Sequence, residues 1–148
     1  MKKLFTSIFV LTLVACSSTS PNIVKGNQVS EQNKLDAFNF ATQQFEGCIT
    51  GKFCVLTTET STPYLVRELT DADMKSACEK INKMCGEIKE LKLVQILHEK
   101  RGYIYRFKAK YSEASCAPEI RVYTNLDHKF DGLIYKPKWE DKYAPYNP

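Results

Sequence analysis

The chain has 148 residues with a formal charge of +4, 43% hydrophobic residues and six cysteines. That length provides one domain with its own core. The charge is too small and too dispersed for the basic footprint of a nucleic-acid-binding protein.

The N-terminus carries the strongest signal. Lys2 and Lys3 precede an apolar run over residues 4–14, the layout of an export signal. A permanent membrane span needs about 20 apolar residues, so this run is too short to remain as one. It ends in Leu13-Val14-Ala15-Cys16, which resembles the lipobox of bacterial lipoproteins. The resemblance implies cleavage before Cys16 and acylation of its sulfur and its new amino group. Two or more acyl chains give stable anchoring. Ser17, rather than Asp, follows Cys16; in Gram-negative lipoproteins that choice implies sorting to the outer membrane. The competing reading is an ordinary secretory signal with Cys16 kept as a disulfide partner. The position of Cys16 at the end of the apolar run argues against it.

Residues 1–15 are thus read as the signal, and residues 16–29 as the lipidated cysteine and a flexible linker rich in Ser, Asn, Pro and Gly. Loss of Lys2 and Lys3 leaves a near-neutral to slightly basic mature chain.

Helices come next. Ser30 is a candidate N-cap, with Glu31 and Asp36 near the positive helix end. Leu35, Phe38, Ala41, Phe45 and Cys48 recur at helical spacing. This predicts one apolar stripe, with Phe40 exposed on the other side and Gly47 fraying the end. Thr62 and Pro63 open a short second helix. Thr70 and Asp73 form a capping-box pattern that starts a third, whose apolar face carries Met74, Ala77, Cys78, Ile81 and Cys85. Gly86 stops it.

After Gly86 the period changes to two. Residues 88–98 read as a strand with Leu91, Leu93, Gln95 and Leu97 inward and Val94 and Ile96 outward. Residues 100–102 turn. Tyr103, Tyr105, Phe107, Ala109 and Tyr111 then alternate with Ile104, Arg106, Lys108 and Lys110. Residues 119–124 and 130–135 make two further strands, and residues 140–148 an irregular tail. Helices first and an antiparallel meander after them predict an α+β fold, with the helices on one face of a curved sheet.

This order of elements over residues 30–139, with "TPYLVRELT" leading into a helix and "YTNLDHKFDGLIY" closing a strand pair, resembles small NTF2-like, cystatin-like domains of exported bacterial proteins. The resemblance implies a cone-shaped fold with a pocket at its wide end. Its members include enzymes and non-catalytic binding subunits, so the fold does not choose a function.

Export places Cys48, Cys54, Cys78, Cys85 and Cys116 in an oxidising compartment. The sequence has no Cys-x-x-Cys pair and no histidine spaced for zinc, so neither a metal site nor redox catalysis is expected. Cys78 and Cys85 share one helix about 10 Å apart and cannot bond each other. The expected pairs are Cys48–Cys54, across a reversal at Gly51, and Cys85–Cys116, which a meander brings together. Cys78 is left buried and free.

Asp127, His128 and Asp131 suggest an acid–base cluster, but Asp and Asn are also turn formers, and turn chemistry is the preferred reading. The expected pocket residues are Gln95, Tyr103, Tyr105 and Tyr111, none of them an evident general base. Arg106, Lys108 and Lys110 line the outer sheet face, and with Phe40, Val94 and Ile96 they form the expected partner-contact set. Together these residues predict a lipid-anchored envelope protein without a cofactor, non-catalytic, binding a protein partner in an assembly or transport complex. The alternatives are a ligand-binding or enzymatic cone pocket, and a structural lipoprotein contacting the cell wall.

Overall fold

The computed structural model describes residues 21–24 and 28–145. Residues 1–15, expected to be the signal, together with Cys16 and the three last residues, lie outside this set. The elements run β1 (Asn22–Ile23), α1 (Glu31–Thr50), α2 (Pro63–Glu68), α3 (Asp71–Cys85), β2 (Ile88–Glu99), β3 (Gly102–Tyr111), β4 (Glu119–Asn125) and β5 (Phe130–Lys136). The strands form one open antiparallel sheet in the order β1-β2-β3-β4-β5. The helices pack on one face of it, giving the α+β architecture that the change of period predicts.

Local chemistry sets the helix starts. Ser30 Oγ accepts from the Asn33 amide at 3.1 Å, and Thr62 Oγ1 from the Leu65 amide at 3.3 Å. Thr70 and Asp73 complete a reciprocal capping box. Two features of α1 differ from expectation. Gly47 is a buried interior residue, where a Cβ would collide with the Phe53 ring, and the helix runs on to a left-handed Gly51. The buried stripe is also rotated. Phe40 is 2% exposed and Leu35 is 50% exposed. Ala41 and Phe45 belong to either stripe, and a tertiary contact chooses between the two. Phe40 stacks on Phe130 of β5, with ring centroids 4.2 Å apart.

The expected faces of β2 hold only for its first half. Leu93 pairs with Phe107, but the next pair is Gln95 with Arg106, so Val94 is an extra residue in a β-bulge. A one-residue shift moves every later side chain to the opposite face. Ile96 therefore joins the helix-facing core beside Tyr105, and Gln95 and Leu97 move to the outer face.

The cysteines pair as Cys48–Cys78 and Cys85–Cys116, with Cα separations of 5.2 and 5.5 Å. The first bond replaces the expected Cys48–Cys54 staple. Because α1 continues past Cys48 to Thr50, the thiol is held on a helix surface that packs against α3, beside Cys78. Cys54 is the free cysteine among the described residues. The two bonds fasten α3 near its middle and at its end.

Asn22 and Ile23, inside the stretch read as linker, pair with His98 and Leu97 of β2.

Candidate functional site

Arg106 lies on the outer face of β3, away from the helices. It is nevertheless fully buried, as are Glu119 and Arg121 of β4. Arg106 donates from Nε to Glu119 Oε1 at 2.6 Å and from Nη2 to Oε2 at 3.1 Å. Arg121 Nε donates to the same Oε1 at 2.5 Å. Gln95 Oε1 accepts from Arg106 Nη1, and it does so from the outer face only because of the bulge at Val94.

The cover comes from the chain beyond β5. The Trp139 amide donates to the Ala117 carbonyl at 2.6 Å, which turns the tail back over the sheet. The Arg106 guanidinium then lies 4.5 Å from the Trp139 ring, and that of Arg121 lies 4.6 Å from the Tyr143 ring. The carbonyls of Glu140 and Ala144 accept from Arg106 and Arg121. Tyr143 donates its hydroxyl to Glu99 at 3.1 Å. Two cations face one carboxylate here, and aromatic faces and carbonyl dipoles balance the remainder. Burial alone would raise the Glu119 carboxyl, but the hydrogen bonds from both guanidiniums outweigh it and hold the group below its ordinary value.

Beside this strap a cleft of about 360 Å³ opens between Lys92, Val94, Gln95, Lys108, Trp139 and Asp141. Lys92 and Lys108 are cross-strand neighbours, and Val94 is 48% exposed on the bulge. Trp139 Nε1 donates to Asp141 at 2.9 Å, which fixes the indole at the rim. Of the expected contact residues, Val94 and Lys108 meet here, and Lys110 is exposed further along β3, opposite Glu90. Arg106, Ile96 and Phe40 are buried and offer no surface.

The expected pocket set is divided as well. Tyr105 and Tyr111 are core residues, and burial pushes the Tyr105 hydroxyl up to about 12 and that of Tyr111 higher still. Gln95 is on the other side of the sheet. Tyr103 remains partly open, in a cleft of about 510 Å³ with Tyr64, Glu99, Arg101 and Tyr123. The larger opening, about 570 Å³, lies between α1, residues 54–60 and the β4–β5 turn, and is lined by Asp36, Cys54, Glu59 and His128 among others. His128 adopts φ 60°, and its buried Nδ1 lacks a hydrogen-bond partner. Its ring stacks 4.8 Å from Tyr103, which in turn stacks 4.8 Å from His98. Burial raises the Cys54 thiol above its ordinary value and makes it a poor nucleophile.

The Asp127–His128–Asp131 cluster does not assemble. Asp131 accepts from the Thr62 hydroxyl at 2.7 Å, and the turn is held by Asn125, which accepts from the amides of His128 and Lys129. Among the described residues no group of three or more His, Cys, Asp or Glu is placed to hold a metal ion, and no helix is long and apolar enough to cross a membrane. The sequence carried no signal for the strap. Its trace is the tail's aromatics, Trp139, Tyr143 and Tyr146, of which the first two lie over the arginines.

No protein-family model, curated protein or solved structure matches the chain.

Proposed function

We propose that the chain is a lipid-anchored protein of the cell envelope, held at the outer membrane through Cys16, whose NTF2-like domain is a non-catalytic binding module for a protein partner. The observation that carries this reading is the cleft of Lys92, Val94, Lys108 and Trp139. It presents an apolar floor between two cations, on strands held in place by the buried Arg106–Glu119–Arg121 cluster. An acidic segment with one apolar side chain fits it, because interface anchors are apolar and rim charges select the partner. The test is affinity isolation of the acylated protein from native membranes, followed by mass spectrometry. Wild type retains an envelope protein, and Val94→Asp with Lys108→Glu loses it at least tenfold. Equal capture by both proteins overturns the reading. Cys16→Ser provides the control and releases the domain from the membrane fraction.

A second reading follows from His128. Its unpartnered Nδ1 and the cleft of about 570 Å³ beside it suit a small polar ligand. Saturable small-molecule binding that His128→Ala abolishes, with protein capture unaffected, favours this reading over the first.

A further inference from the structure

The sheet brings three features to one of its ends. In the antiparallel pair of β1 and β2, Asn22 lies opposite His98 and Ile23 opposite Leu97. Going back along the chain toward Pro21 therefore leads toward Glu99 and the β2–β3 turn at Lys100 and Arg101. Gly102 pairs with Asn125, so the β4–β5 turn, starting at Leu126, projects from the same end. The opposite end carries the β3–β4 loop and the Cys85–Cys116 bond.

The residues at the first end suit a lipid surface. Lys100 and Arg101 are exposed, Leu126 is 56% exposed and Ile23 is 70% exposed. Asp127 is the exposed acid of the neighbouring turn, while Glu99 is engaged by Tyr143 and Lys129 by the Thr58 carbonyl. The distance to the anchor is short. A fully extended chain rises at most about 3.6 Å per residue, so residues 16–21 reach about 20 Å at most. Cys16 thus keeps this end, and not the Cys85–Cys116 end, within reach of the bilayer.

We propose that this end of the sheet is a membrane-docking surface. Leu126 enters the headgroup layer of an anionic phospholipid bilayer, and Lys100 and Arg101 pair with lipid phosphates. This inference rests on the lipid-anchor reading. A single exposed leucine beside a turn with two cations binds weakly alone, but the anchor makes its encounter with the bilayer intramolecular. The cations act over about a Debye length, 8–10 Å, and a connection of about 20 Å at most holds them within about two such lengths of the surface. The cleft at Val94 and Lys108 then faces sideways, about 13–20 Å above the headgroups at about 3.3 Å per strand residue, and stays open to a partner.

The test uses the acylated full chain in vesicles of phosphatidylethanolamine and phosphatidylglycerol with brominated acyl chains, which quench tryptophan at contact. Wild type has one tryptophan, Trp139, which packs on Arg106 away from this end and serves as the internal control. Leu126→Trp adds a fluorophore at an exposed position, and Ile23→Trp provides a second. The expected result is loss of at least half of the added emission from Leu126→Trp, with Trp139 unquenched. Adding Lys100→Glu and Arg101→Glu restores that emission at least twofold. Vesicle-bound protein whose added tryptophans are both unquenched overturns the docking surface but leaves the anchor standing. A mature chain without acyl mass that fails to sediment with vesicles overturns both.

Discussion

Arg106 and Glu119 form a two-bond ion pair across β3 and β4, at 2.6 and 3.1 Å, in which neither side chain reaches solvent. Arg121 shares the same carboxylate. Removing one partner of such a group strands the other charges out of water, which costs about 3–5 kcal/mol. Glu119→Ala leaves two guanidiniums without their anion and is the most damaging single change to this cluster. Urea unfolding should show a midpoint lowered by that free energy divided by the slope, with the slope itself unchanged. A loss below about 1 kcal/mol would mean that water reaches the arginines.

Acid should act through the same carboxylate. Glu119 titrates below its ordinary 4.5 in the folded chain, because the hydrogen bonds from Arg106 and Arg121 outweigh the opposing effect of burial. The unfolded chain therefore takes up this proton first as pH falls. The contribution of Glu119 is fully present well above pH 4.5, and it declines as pH drops through 4.5 and then through the lower folded value. Wild type should lose stability in that window, and Glu119→Gln, which has no proton to take up, should lose less. Parallel pH profiles of the two proteins would assign the acid sensitivity to other groups.

The strap can be dissected residue by residue. Trp139→Ala removes the aromatic face over Arg106 together with its packing, and should cost about 2–4 kcal/mol. Tyr143→Phe keeps the ring over Arg121 and deletes the hydrogen bond to Glu99, for about 0.5–1.5 kcal/mol. Thermal unfolding should rank them in that order. The reverse order would locate the strap's hold in its polar contacts.

Peptide mapping without reduction should join Cys48 to Cys78 and Cys85 to Cys116, and leave Cys54 open to slow alkylation after mild denaturation. Each bond closes a loop of about 30 residues, worth about 3–4 kcal/mol on the chain-entropy account. Cys48→Ser should lower stability by that order, and Cys54→Ser by less than about 1 kcal/mol. A Cys48–Cys54 peptide would overturn this pairing and make Cys54→Ser as costly as Cys48→Ser.

These particulars show which parts of the fold were legible in the sequence. Caps and periods are local, so Ser30, Thr62, Thr70 and the alternation from Tyr103 to Tyr111 give the elements and their order directly. Choices that depend on a distant contact were not legible. The stripe of α1 turns on Phe40 meeting Phe130, ninety residues away. The parity of β2 turns on two register shifts, one at Lys89 and one at Val94, and the trace of the second in the sequence is the adjacent apolar pair Ile96 and Leu97. Arg106 reads as a solvated strand residue until a tail without periodicity covers it. The candidate site was legible where exposure is the default, at Val94 and Lys108, and misread where tertiary structure removes it, at Arg106 and Ile96.

The strap has a further consequence for how the molecule comes into being. A polypeptide is made from its N-terminus. β3 and β4 emerge with two uncovered guanidiniums, and the groups that cover them, from Trp139 to the Ala144 carbonyl, follow only after both strands and β5. The charged interior is closed only after the residues from Trp139 to Ala144 have followed β5 out, so a stop codon or a protease cut just before Trp139 keeps all five strands yet removes the lid.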